Sequence, residues 1–326
     1  MTTPAAHAGQ TAQPMLSVVV PMKNEAASLE AFFATVVPVL RAECGERFEI
    51  VCVNDGSTDD TLAGLLQRRG ALPQMRVIDL SRNFGKEAAL TAGLQHARGE
   101  AVIPMDVDLQ DPPELIPEMV AKWREGFEVV SPRRVLRDED TPMKRLTAGG
   151  FYAIMHRLSE IPIPANVGDF RLMEACVVRA LLSLPERTRF NKGIFAWVGF
   201  RQCFIDFERP ARRAGGSAWT ARSLWRLAID GITCFSSLPL RVWSLIGVFM
   251  GVVAMTYAAV VVVRTLWFGR DVPGYASLIV VMLVCSALIL MGIGVLGEYL
   301  ARVFVEVKGR PLYIVRRTWG DADAAD

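Results

Sequence analysis

The chain has 326 residues, 52% of them hydrophobic and 21% charged, with a formal net charge of +2. Ordinary soluble domains run at about 45–50% apolar, so the composition argues against an exclusively water-borne protein. A net charge this small gives no ground for a nucleic-acid partner. The six cysteines contain no C-x-x-C pair and read as reduced, mostly buried residues on a cytosolic face.

The first 14 residues, MTTPAAHAGQTAQP, lack the basic and apolar regions of a signal peptide and are expected to form a disordered tail. Residues 15–218 are expected to form one cytoplasmic domain. Short β-branched runs at 16–20, 49–53, 75–80, 100–105 and 128–131 alternate with helical stretches near 25–41, 58–69, 86–97 and 113–125. This alternation predicts an α/β fold with a doubly wound, mostly parallel sheet. Ligands bind such sheets outside the carboxyl ends of the strands. The residues there read Pro21-Met-Lys-Asn24-Glu25, Asn54-Asp55-Gly56-Ser57, Ser81-Arg82-Asn83 and Asp106-Val-Asp108, all of which would meet on one edge.

No G-x-G-x-x-G or G-x-x-x-x-G-K-[ST] occurs, so phosphate cradling by backbone alone is not expected. In the second turn Ser57 or Thr58 is the predicted helix N-cap. Asp55 precedes that cap without a structural duty, which suits recognition of a base or ribose. Asp106 and Asp108 sit two apart, so in extended backbone their side chains share a side. The pair reads either as an acidic surface turn or as the holder of a divalent cation with room left for phosphate oxygens.

Residues 132–165 carry dense charge (RRVLRDEDTPMKR), which predicts a loop feeding a helix over 146–159. Residues 190–207 are read as a strand region. Residues 219–240 have apolar residues at helical spacing beside Arg222 and Arg226, predicting an interfacial amphipathic helix, with packing on the soluble domain as the alternative. Two transmembrane helices are expected within 241–300, at about 243–267 and 276–297. Arginines and lysines flank both spans on their outer sides, and the connector offers few. The positive-inside rule then places both termini, including a basic segment 301–326, in the cytoplasm.

VVVPMKNE, VNDGSTD, DLSRNFGKEAALTAGL and PMDVDLQDPPE, in this order and spacing, resemble glycosyltransferase family 2, in particular its polyprenyl-phosphate glycosyltransferases. GDFRLM, RFNKGIFAWVGF and two C-terminal spans resemble the bactoprenol glucosyltransferase branch. The resemblance implies a GT-A-like nucleotide-sugar fold. It also implies inverting transfer of one sugar, glucose from UDP-glucose, to undecaprenyl phosphate at the cytoplasmic face of the inner membrane. GDP-mannose or a UDP-aminosugar are the alternative donors. By this resemblance Pro21, Asn24, Glu25 and Asp55 hold the nucleotide, and Asp106 and Asp108 ligate Mg2+ or Mn2+ on the diphosphate, with Gln110 nearby. Lys86 is read as a sugar or phosphate contact, or as an exposed residue of a first helical turn. Asp169 takes the place of the family's base candidate, with sugar positioning as the equal alternative.

The acceptor phosphate needs cations, for which Arg133, Arg134, Lys144 and Arg145 are the candidates. Family members carry a G-x-S-K-[WY] segment, whereas this chain reads Gly215-Gly216-Ser217-Ala218-Trp219. Arg212 or Arg213 would supply the missing charge. The thin membrane anchor predicts a homo-oligomer, with a tetramer as one form. A processive polysaccharide synthase is disfavoured by the lack of Q-x-x-R-W and of further spans, and a non-catalytic scaffold by the intact carboxylates.

Overall fold

The computed structural model describes residues 13–134, 167–184, 186, 191–207, 238–268 and 274–320. These divide into two compact units. One holds the described residues up to 207 together with 311–320, and the other holds 238–268 and 274–310.

The first unit is built on a sheet of β1 (Leu16–Met22), β2 (Phe48–Asn54), β3 (Met75–Leu80), β4 (Ala101–Pro104), β5 (Val129–Arg134), β6 (Leu172–Glu174), β7 (Gln202–Phe207) and β8 (Val315–Trp319), in the order β7-β5-β6-β4-β1-β2-β3-β8. β1 pairs in parallel with β2 and β4, and β2 with β3. β6 runs antiparallel between β4 and β5, β7 is parallel to β5, and β8 is antiparallel to β3. All seven residues of β2 are buried, as expected of a central strand covered on both faces. The predicted α/β, mostly parallel sheet is therefore present. The connection leaving β1 leads to β2 and the one leaving β4 leads the other way, toward β5, so the strand order reverses between these two strands, and their carboxyl ends are where such sheets bind ligands.

The helices in this unit are α1 (Leu29–Cys44), α2 (Thr61–Arg69), α3 (Lys86–His96), α4 (Ile116–Arg124), α5 (Ala175–Ser183) and α6 (Asn191–Trp197). α1 buries Leu29, Phe32, Val36, Leu40 and Cys44, the three-to-four spacing of an amphipathic helix on a core. α3 lies close on the sheet because Gly93 carries no Cβ, and one added there would overlap the Val19 side chain.

Two expectations about the fold need correction, and one strand was not foreseen. Residues 190–207 are not one strand region. Ile194 and Phe195 are buried in the short helix α6, and the strand begins at Gln202. A brief apolar run does not distinguish the two periods. Strand β4 ends at Pro104, so Asp106 and Asp108 lie in a turn, with Leu109 at φ 53°, and not in extended backbone. The expected basic segment 301–326 also contains β8, whose Trp319 packs on the core that α1 covers.

In the second unit, α7 (Leu238–Phe268) and α8 (Tyr275–Lys308) contain apolar stretches at Val242–Arg264 and Val280–Lys308, each long enough to cross a membrane. Neither stretch is buried, which excludes the core helix of a soluble protein. Trp243 of α7 rests on Gly292 of α8, where only a glycine leaves room for the indole. Of the expected loop and helix at 132–165, residues 135–165 lie outside the described residues, as does most of the expected interfacial helix.

Candidate active site

The site is assembled from the four turns that follow β1 to β4 and from the segment before β6 that carries Asp169. After β1, Asn24 takes φ 55°, a left-handed conformation that asparagine tolerates better than most residues. Its backbone N–H donates to Ser57 Oγ (3.0 Å), and its side-chain Oδ1 accepts from Thr58 N–H (2.8 Å). Glu25 N–H donates to Thr61 Oγ1 (2.8 Å), while the Glu25 carboxylate accepts from Ser28 Oγ (2.8 Å). Asn24 and Glu25 thus lace the first turn to the second. The cap of α2 is also not Ser57 or Thr58. The N-cap position is held by Asp60, which makes no side-chain capping bond; Asp59 Oδ1, one residue earlier, accepts from Thr61 N–H (3.1 Å), and Ser57 is used by Asn24 instead.

Asp55 does have a structural duty. It is only 3% exposed, and its two carboxylate oxygens accept from the backbone N–H groups of Phe84 (2.7 Å) and Gly85 (2.9 Å). Gly56, at φ 60°, lies so close to this third turn that a Cβ would come within 2.5 Å of Asn83 N. The second and third turns are therefore one hydrogen-bonded body. Gly85, at φ 97°, leads from it directly into α3.

Lys86, the first residue of α3, sits between two carboxylates. Its Nζ is 2.8 Å from Asp106 Oδ2 and 3.1 Å from Asp169 Oδ2. Partial burial works to lower the pKa of this ammonium, but the charges of Asp169 and Asp106 and their hydrogen bonds outweigh it and hold the pKa above the ordinary lysine range. Pro21, Lys86, Leu90, Pro104, Met105, Asp106, Asp111, Asp169 and Phe170 line a small open cleft at the crevice between β1 and β4. Of the predicted residues, Pro21, Lys86, Asp106 and Asp169 come together there.

Asp108 is exposed on the same turn as Asp106, outside that lining, and its Oδ1 accepts from Gln110 N–H (3.1 Å). Among the described residues no three metal-ligating side chains cluster. Two carboxylates on one turn nevertheless fit a hard divalent cation of the kind that takes its remaining ligands from water and substrate phosphates.

Two residues of the cleft's surroundings escaped the sequence reading. Asp111 lines the cleft, and the run of carboxylates in PMDVDLQDPPE was its only signal. Arg171 is buried beside Asp169, donates to Gly168 O (2.6 Å) and stacks over Phe195 (4.0 Å). Burial pulls its pKa down to about 10, against the opposing pull of Asp169.

Of the predicted acceptor cations, Arg133 is bidentate with Asp206 (2.7 and 3.0 Å) and lies over Phe204. Its hydrogen bonds hold the Asp206 carboxyl below its ordinary range. Arg134 is half-exposed at the end of β5. Lys144, Arg145, Arg212 and Arg213 lie outside the described residues.

Residues 17–182 match the model of the family described as glycosyl transferase family 2. The chain is 50% identical to an uncharacterised glycosyltransferase of Synechocystis sp., over 94% of this chain and 96% of that protein. It is 45% identical to an SfII prophage-derived bactoprenol glucosyl transferase of Shigella flexneri, over 93% of this chain and 98% of the relative. It is 43% identical to a prophage bactoprenol glucosyl transferase homolog of Escherichia coli K12, again over 93% and 98%. With the nucleotide-sugar type of sheet, the carboxylate-bearing turn after β4 and this extent of identity, the chain belongs to glycosyltransferase family 2.

Proposed function

We propose that the protein transfers a single sugar, glucose from UDP-glucose, with inversion to the phosphate of a membrane polyprenol, undecaprenyl phosphate. The carrying observation is the 45% identity to a bactoprenol glucosyl transferase along nearly the whole of both chains. That identity takes in the sheet-edge cleft and the two outward-apolar helices together. In this reading α7 and α8 cross the inner membrane, both termini are cytoplasmic, and the protein assembles as a homo-oligomer.

A phosphate monoester has its second pKa near 6, so at neutral pH the acceptor is already an anionic nucleophile. An oxygen of that phosphate attacks C1 of the sugar while the bond from C1 to the nucleoside diphosphate breaks, and no proton has to be removed first. Asp169 is fixed by Lys86 and serves best as a hydrogen-bond acceptor that orients the sugar. Lys86 brings positive charge to the cleft where the diphosphate departs. Asp106 and Asp108 would hold Mg2+ or Mn2+, which when bound neutralises charge on the leaving diphosphate. Asp55 shapes the nucleotide pocket through its grip on Phe84 and Gly85. Arg134 is the described cation best left for the acceptor phosphate, since Arg133 is shared with Asp206.

The test is purified full-length protein with undecaprenyl phosphate, Mg2+ and a panel of labelled donors, UDP-glucose, GDP-mannose and UDP-N-acetylglucosamine. A single-sugar lipid from UDP-glucose is expected. A lipid from another donor would replace the sugar in this reading, and no lipid product from any donor would overturn it.

A further inference from the structure

We propose that the C-terminal strand β8 is a working part of the donor site, and that Arg316 is the positioning residue through which it acts. The inference rests on the donor-site reading above and assigns that site a component which follows both apolar helices in sequence.

Arg316 makes two contacts on β3 and the turn beyond it. Its Nη2 donates to Ser81 O (2.6 Å), and its Nη1 lies 3.4 Å from Asp79 Oδ2. The strand backbone adds a third link, in which Ser81 N–H donates to Ile314 O (2.9 Å). Tyr313 hydroxyl meets Gln95 on α3, so the same segment touches both the third turn's strand and the helix that carries Lys86.

Asp79 makes this more than an edge contact. Its side chain is only 3% exposed, and a carboxylate taken out of water needs a cation and hydrogen bonds in compensation. Asn54 Nδ2 donates to Asp79 Oδ1 (2.7 Å), and Arg316 provides the positive charge. From Asn54 the contacts continue into the site, because its Oδ1 accepts from Ser57 N–H (3.3 Å) and Ser57 Oγ accepts from Asn24 N–H (3.0 Å). A second route runs through Ser81, which opens the turn that Asp55 grips at Phe84 and Gly85. Removing the guanidinium leaves Asp79 buried with a neutral partner. The end of β3 then relaxes toward water, and both turns around the nucleotide move with it. Supporting residues of this kind, outside the ligand contacts, set the geometry that the contacts need.

The experiment uses the full chain in detergent or nanodiscs. Uridine diphosphate and guanosine diphosphate binding are measured by calorimetry, alongside steady-state kinetics. In Arg316→Ala the tighter-bound nucleotide should weaken about tenfold, the scale of a lost supporting shell. The donor KM should rise by the same factor, with kcat and the acceptor KM within about twofold. A merely structural role would lower the active fraction, and with it kcat, at unchanged donor KM. That pattern, or nucleotide affinity within twofold of wild type, overturns the proposal. If Arg316→Ala does not fold, Arg316→Gln removes the charge at similar length and is held to the same criteria. Wild-type protein that binds neither nucleotide would overturn the donor-site reading and the proposal together. Binding that is equal in wild type and variants overturns the proposal alone.

Discussion

Replacing Asp55 by asparagine isolates the bond between the second and third turns. The carboxylate is 3% exposed and accepts two backbone N–H groups, at 2.7 and 2.9 Å. Hydrogen bonds to a charged group contribute about 1.5–3 kcal/mol each, and a buried N–H left without an acceptor costs about 1–3 kcal/mol. The amide keeps one acceptor at neutral strength and turns a donor toward the other N–H. The expected loss is therefore about 2–4 kcal/mol. For a unit of this size each kcal/mol moves the melting temperature by about 2–4 °C, so the midpoint should fall by about 5–15 °C. Tryptophan-fluorescence melting in detergent gives the global value, and hydrogen exchange resolves the amides of Phe84 and Gly85, which should lose protection. A melt within 2 °C of wild type with unchanged exchange at those two amides would show that Asp55 does not hold the third turn.

Lys86→Met should destabilise the protein by only about 1 kcal/mol, because the side chain is half-exposed and solvent screens the pair. The folded pKa of Lys86 is raised, so its contribution is fully present below its ordinary value of about 10.5 and is lost only as pH rises through the higher folded value. The gap in melting temperature between wild type and variant should accordingly be constant from pH 6 to 9, and closure of the gap by pH 9 would refute the assignment. Asp108→Asn leaves the Lys86 contacts intact. It should lower kcat/KM by about 100-fold or more and raise the Mg2+ concentration needed for half-maximal rate, since one carboxylate of a two-carboxylate set is lost. Unchanged metal dependence would remove Asp108 from the metal site.

The sheet was legible because β1, β2 and β3 are short, β-branched and buried on both faces, so their period needs no arbitration. The turns after them were legible as a polar edge, and Pro21, Lys86, Asp106 and Asp169 do meet there. What Asp55, Asn24 and Glu25 bond to was not legible, since their partners Phe84, Ser57 and Thr61 are brought near only by parallel pairing of strands distant in sequence. α6 was missed because a few apolar residues fit either period. β8 was missed because VRRTW is brief and polar, and its pairing with β3 is settled by the free edge of a strand far earlier in the chain.

That late pairing bears on how the protein is made. β3 leaves the ribosome early and would be the outer strand of a growing sheet until β8 arrives from the far end of the chain. Throughout synthesis of α7 and α8, the outer edge of β3 would present unpaired backbone groups, a template for wrong partners. Among the described residues, β8 alone closes that edge. Chains cut short after the second helix would keep their cleft residues and yet carry an open sheet, ready to pair with one another.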